Sequence, residues 1–221
     1  MVTRLTAARL VYRAGMLETF GDDTALLIVD AQVGVDDLDH WGGPTGRRNN
    51  PDAEKHLERL LEQWRGAGRP VAFTLHDSWE EASPLKLALP TGASKPGLEP
   101  DAGEIAVVKH VNGGFFGTDL EIQLRRIGVR RLVVGGFFTN YCVETTVRTA
   151  GNIGFDTYLC HDACSTSNRI GLDGTDHDPE LVHDLAVATM HGEFCTALST
   201  DDALDLLTRD RDDLQRVQGN E

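Results

Sequence analysis

Short apolar runs alternate along the chain with longer amphipathic stretches. Thr24 to Asp30 (TALLIVD) is apolar almost throughout, the pattern of a strand covered on both faces. Asp52 to Gly68 then repeats Leu57, Leu60, Leu61 and Trp64 at helical spacing and closes on glycines. Pro70 to His76 and Ile105 to His110 read as the second and third strands. Gly117 to Gly128 reads as a helix, with Thr118 or Asp119 as its cap. Arg131 to Phe137 is the fourth strand, and Thr139 to Gly151 the helix behind it. A fifth strand (Phe155 to Ala163), a helix (Pro179 to His191), a sixth strand (Phe194 to Thr200) and a short helix (Asp201 to Thr208) complete the series.

Strands separated by helices pair in parallel, because a parallel connection needs a crossover. The expected architecture is α/β: one doubly wound domain over 23–210, with a central, mostly parallel six-stranded sheet and helices on both faces. An N-terminal arm (1–22) precedes it and a tail (211–221) follows. Two long polar segments, Ala31 to Pro51 and Asp77 to Gly103, interrupt the alternation. Such loops on a rigid sheet often carry function.

The formal net charge of -14 argues against partners held by a general electrostatic field, whether nucleic acid or an anionic membrane. No apolar run reaches membrane-spanning length and no secretory signal opens the chain, so cytoplasmic residence is the default expectation. The four cysteines form no CxxC pair. Cys160 and Cys195 lie in apolar runs and read as buried strand residues; Cys164 falls in a loop-like stretch.

In open α/β sheets, ligands bind beyond the carboxyl ends of the strands. Three reactive groups fall there: Asp30 ends the first strand, Lys109 lies near the end of the third, and Cys142 follows the fourth at the start of its helix. Singly, each has an ordinary structural reading, as a turn cap, a solvated lysine and a small buried hydrophobe. Together, at three strand ends, they point to a reactive centre.

The segment Gly135 to Thr146 (GGFFTNYCVETT) resembles the nucleophile motif of the isochorismatase-like cysteine hydrolases. LLIVDAQ is similar to the family's Asp-bearing first strand. VVKHVNGGFFGTDLEIQL is similar to its Lys segment, and HDA at His161 to Ala163 to the stretch after the next strand. The resemblance runs from about Thr24 to Leu207. It implies a catalytic triad of Asp30 (proton acceptor and donor), Lys109 (holding Asp30) and Cys142 (nucleophile), acting on a non-peptide carbon–nitrogen bond of a small-molecule amide through a thioester. A helix N-terminus would favour the Cys142 thiolate. The resemblance also implies an oxyanion hole from the backbone N–H groups of Phe138 and Cys142, with a cis peptide between Phe137 and Phe138. Replacing Gly136 by Val is expected to lower the rate more than the stability.

The metal-binding branch of the family carries an Asp-x-His motif. None is present, and Glu54-x-His56 lies in a helical stretch, so neither metal nor other cofactor is expected. Isochorismatases proper cleave a vinyl ether without a cysteine nucleophile, so Cys142 favours C–N hydrolysis. Gln32, Trp41, Phe115, Phe116 and Tyr141 are candidate substrate contacts in the rim segments, with plain packing the competing reading. In the polar loop, Arg47, Arg48, Asn49 and Asn50 read as a solvated turn or as a carbonyl or carboxylate contact. Gly113 and Gly114 suggest a mobile or close-packed wall. Relatives of this kind commonly form symmetric homo-oligomers, and the arm from Val2 to Phe20 could pack on a neighbouring subunit. Two other readings share the fold: a catalytically silent interaction domain, and a redox sensor pairing Cys142 with a resolving thiol such as Cys164.

Overall fold

The computed structural model describes residues 19–208. Six strands form one sheet: β1 (Thr24–Val29), β2 (Val71–His76), β3 (Ile105–Lys109), β4 (Arg131–Phe137), β5 (Asp156–Ser165) and, after the hairpin described below, β8 (Thr196–Leu198). Their order is β3-β2-β1-β4-β5-β8, and every neighbouring pair is parallel. The chain thus runs outward from β1 to one edge, returns, and continues from β4 to the other edge. The order reverses between β1 and β4, which creates a crevice at their carboxyl ends.

All six residues of β1 are buried, as a strand with helices on both faces requires. The period of two divides them. Leu26 and Ile28 join a cluster with Leu57, Leu60, Leu61 and Trp64 of the helix α2 (Ala53–Gly66). Ala25, Leu27 and Val29 face the opposite cluster. That side is closed by Leu120 and Leu124 of α3 (Leu120–Arg126) and by Val147 and Ala150 of α4 (Glu144–Asn152). α5 (Pro179–Met190) adds Ala186 and Met190.

Several details differ from the sequence reading. The fifth strand runs on to Ser165, so Cys164 is a fully buried strand residue and not part of a loop. A register shift against β4 between Val134 and Gly136 lets β5 carry the polar pair His161-Asp162 without ending. Two very short strands, β6 (Arg169–Ile170) and β7 (Asp176–His177), form an antiparallel hairpin that periodicity does not reveal. The first polar segment contains the short helix α1 (Leu38–Gly42). Its end is tied down rather than solvated: Asn49 Oδ1 accepts the Thr166 N–H at 2.7 Å, and Asn50 Nδ2 donates to the Cys164 carbonyl at 2.7 Å. Arg48 is paired with Asp36 and Glu54, and Arg47 with Asp176 and Asp178.

Phe20, near the end of the expected arm, is fully buried, its ring centroid 5.0 Å from Tyr158 and 6.0 Å from Trp64. Residues 1–18 of the arm and the tail from 209 lie outside the described residues. Gly136 sits at φ 137°, and a Cβ there would lie 2.1 Å from the Val29 carbonyl oxygen. A side chain at this position collides with the central strand itself. The cost of Gly136→Val therefore falls first on stability, contrary to the expectation from sequence.

Candidate active site

Cys142 does not open a regular α-helix. Thr139–Val143 forms a single π-helical turn ahead of α4, in which the Val143 N–H donates to the Phe138 carbonyl at 3.2 Å. Wider turns of this kind recur at functional sites. The turn hangs from the end of β4, and the Phe137–Phe138 peptide is cis, as the resemblance implied. The turn brings Cys142 over the crevice beside β1.

Asp30 follows β1 in the left-handed region, at φ 49°. It is wholly buried. Thr74 of β2 donates to its Oδ1 at 2.5 Å, and Lys109 Nζ lies 2.6 Å from its Oδ2. The same ammonium is 3.3 Å from Cys142 Sγ and donates to the Val111 carbonyl at 3.0 Å. The parallel register puts His76, at the end of β2, beside Lys109 at the end of β3. His76 Nδ1 is 3.0 Å from Lys109 Nζ, 3.6 Å from Cys142 Sγ and 3.7 Å from Asp30 Oδ2. His76 thus adjoins all three groups, although it was not among the site residues expected from the motifs. Its signal was its place at a strand end next to β1. Asn112 Oδ1 lies 3.8 Å from Cys142 Sγ.

Burial pushes the Asp30 carboxyl upward, but Lys109 and then His76 outweigh it and hold the group below its ordinary range. Burial pulls the Lys109 ammonium down, while Asp30 and Cys142 more than restore it, so it stays charged. Burial and the Asp30 carboxylate raise the Cys142 thiol well above its usual value, against the opposing pull of Lys109. The resting centre is therefore carboxylate, ammonium and thiol. This corrects the expectation of a thiolate favoured by a helix N-terminus, since desolvation beside a carboxylate outweighs it.

Asp30, His76 and Cys142 each offer one ligand atom, all within 4.8 Å of one another, a spacing that could receive a metal ion. Lys109 Nζ lies within 3.3 Å of all three. The ammonium competes for the space a divalent cation would take and repels it. Glu54 is paired with Arg48 and Lys95, away from His56.

The candidate substrate contacts separate. Gln32 is fully buried, and its amide is spent on backbone: Nε2 donates to the His76 and Gly92 carbonyls, and Oε1 accepts the His76 N–H. It fixes His76 and is not free to bind substrate. Phe115 stacks on Phe155, at the amino end of β5, with ring centroids 5.9 Å apart, and belongs to the core on that side. Phe116 is exposed, and a Cβ at Gly113 would lie 2.3 Å from its ring, so that wall is close-packed. Trp41 meets the Phe138 ring edge-on at 5.0 Å and donates to the Gly34 carbonyl at 2.8 Å. Tyr141 remains partly exposed beside the nucleophile turn.

A thiol, a carboxylate and an ammonium packed at the switch point of a doubly wound sheet define an α/β protein with a cysteine-centred site. The profile of the Isochorismatase domain matches residues 24–202, and the chain belongs to the isochorismatase family. It is 38% identical over 177 residues to the isochorismatase family protein YrdC of Bacillus subtilis, covering 80% of this chain and 92% of that one. It is 39% identical over 178 residues to the ureidoacrylate amidohydrolase RutB of Variovorax paradoxus, covering 66% and 70%. A crystal structure of an isochorismatase-family protein from Chromobacterium violaceum superposes with a TM-score of 0.81 at 38% identity, covering 87% of this chain and 97% of that one. The chain is accordingly an isochorismatase-family hydrolase. No helix among the described residues is long and apolar enough to cross a membrane.

Proposed function

We propose that the protein is a cysteine amidohydrolase that cleaves a carbon–nitrogen bond of a small-molecule amide through a thioester, with Asp30, Lys109 and Cys142 as its catalytic triad. One observation carries this reading: a single ammonium, on Lys109, lies 2.6 Å from a buried carboxylate oxygen and 3.3 Å from a buried thiol sulfur. Three such groups are costly to bury together without a chemical use. The relative RutB, named for amide hydrolysis of ureidoacrylate, points to the same bond type.

Because the resting sulfur is protonated, attack needs a base. Asp30 takes the thiol proton as sulfur bonds to the carbonyl carbon. The backbone N–H groups of Phe138 and Cys142 are assigned to the oxyanion that forms. When the C–N bond breaks, Asp30 returns its proton to the leaving nitrogen, which departs as an amine or ammonia. Water then adds to the thioester, with Asp30 accepting its proton. The C–S bond breaks, the proton returns to sulfur, and a carboxylic acid leaves. Lys109 stays charged throughout and offsets the negative charge shared by Asp30 and sulfur. Gln32 and Thr74 act by position: one fixes His76 and the other orients Asp30.

The redox alternative needs a resolving thiolate. Cys164 is fully buried, and that burial pushes its thiol far above the usual range, which removes it from that role at neutral pH. The test is ammonia release from a panel of primary amides and ureido compounds, with Cys142→Ala beside the wild type. Release by the wild type alone supports the reading. Release by neither, from a well-folded protein, favours a silent interaction domain.

A further inference from the structure

Asn112 is exposed on the bend that follows β3, and its side-chain oxygen borders the reactive centre, 3.8 Å from Cys142 Sγ. The main chain around it is anchored. Lys109 Nζ donates to the Val111 carbonyl at 3.0 Å, and the Gly114 N–H donates to Thr146 Oγ1 at 2.9 Å. The Phe116 N–H donates to the Gly113 carbonyl at 3.2 Å. The Gly113 N–H itself has no hydrogen-bond partner among the described residues, and neither has Nδ2 of Asn112. An uncommitted main-chain nitrogen therefore adjoins an uncommitted side-chain amide.

An asparagine amide is open to attack by the main-chain nitrogen of the next residue, and a side chain on that residue obstructs the approach. Glycine offers no such obstruction. At this place no other residue fits, because a Cβ on Gly113 would lie 2.3 Å from the Phe116 ring and 3.3 Å from Thr145 Cγ2. The packing of the wall thus imposes on Asn112 the neighbour that leaves it most labile. No other asparagine in the chain precedes a glycine: Asn49, Asn50, Asn140, Asn152, Asn168 and Asn220 are followed by Asn, Pro, Tyr, Ile, Arg and Glu. Asn49 and Asn168 are also buried, with their side-chain oxygens accepting backbone N–H groups.

We propose that Asn112-Gly113 is a self-modification site whose spontaneous deamidation places a carboxylate beside Cys142 and silences the nucleophile as the protein ages. The Gly113 nitrogen bonds to Asn112 Cγ and loses its proton. The Cγ–Nδ2 bond breaks, and the nitrogen takes up that proton and leaves as ammonia. Water then opens the succinimide at either carbonyl, giving aspartate or isoaspartate, and both carry a negative charge where a neutral amide stood. Two effects act on the sulfur in the same direction. A like charge nearby disfavours the thiolate. The new carboxylate also competes for Lys109, the ammonium that lies 3.3 Å from Sγ and already donates to the adjoining Val111 carbonyl.

The test needs no substrate, so it stands apart from the amidohydrolase reading. The folded full-length protein is incubated at mildly alkaline pH with a thiol reductant, and the more acidic form is separated by ion exchange. Peptide mass spectrometry should place the amide-to-acid mass gain on the tryptic peptide that follows Lys109 and holds Asn112. Iodoacetamide at low ionic strength should then label Cys142 roughly tenfold or more slowly in the acidic form than in the parent, the change that one pKa unit produces. Asn112→Asp should be slow from the start. Asn112→Gln, whose longer side chain cyclises far less readily, should begin at the wild-type rate and keep it through the incubation. Absence of the mass gain in the native wild type overturns the proposal. Labelling of the acidic form, or of a folded Asn112→Asp, at the parent rate overturns it as well. An equal decline in Asn112→Gln would assign the loss to another event and also refute it.

Discussion

Acid should weaken this protein through one imidazole well before its carboxylates protonate. His183 on α5 is almost fully buried, and its Nδ1 lies 2.9 Å from Oγ1 of Thr139, the first residue of the turn that carries Cys142. Burial, and then the neighbouring His161, push its pKa down from 6.5 to about 4. The unfolded chain takes up this proton below about pH 6.5, whereas the folded chain resists until about pH 4. Across that window the unfolded state binds more protons, so stability falls as pH falls, and nothing further is lost through this group below pH 4. At ~1.36 kcal/mol per pH unit, the gap between 6.5 and about 4 amounts to roughly 3 kcal/mol. Asp30, Asp176 and Asp202 cannot mimic this effect. Their pKa values are held below 3.8, so their contributions disappear only at lower pH. Urea denaturation between pH 7.5 and pH 4 measures the effect against His183→Gln, which can still accept from Thr139 but cannot be protonated. The wild type should lose about 3 kcal/mol more than the variant. Parallel losses in the two proteins would refute the argument.

Other outcomes follow from the same geometry. Gly136→Ala should destabilise the fold by about 3 kcal/mol or more, because its Cβ meets the β1 backbone, and a denaturation midpoint within error of the wild type would contradict this. Lys109→Met leaves the Asp30 carboxylate buried without its main counter-charge; stability should fall by about 3–5 kcal/mol and activity should vanish, and an active, equally stable variant would remove Lys109 from the mechanism. Prolonged chelation should leave hydrolysis unchanged, since Lys109 occupies the position open to a metal, whereas loss of activity restored by added zinc would overturn that argument.

The sheet was legible because its strands are continuous apolar runs, covered on both faces in β1, β2 and β4, and β1 through β4 fall where those runs predict. The end of β5 was not, because His161 and Asp162 interrupt the apolar pattern and a register shift absorbs them. The β6–β7 hairpin was hidden by the length of its strands, two residues each. Asp30, Lys109 and Cys142 could be read from strand ends and motif alike. The contact of His76 with all three depends on the pairing of β2 with β3, which no local pattern encodes. Gln32 illustrates the converse: its position beside Asp30 suggested a substrate contact, yet its three hydrogen bonds all go to backbone.

The central claim is that Cys142 forms a thioester with the acyl half of an amide. Rapid quenching into acid during turnover of a slow amide, followed by peptide mass spectrometry, tests it directly. The account predicts an acyl mass increment on the Cys142 peptide that hydroxylamine removes, together with an initial release of ammonia or amine matching the enzyme concentration. Cys142→Ala should show neither. Full turnover by Cys142→Ala, or turnover by the wild type with an acyl group on another residue, would contradict the account.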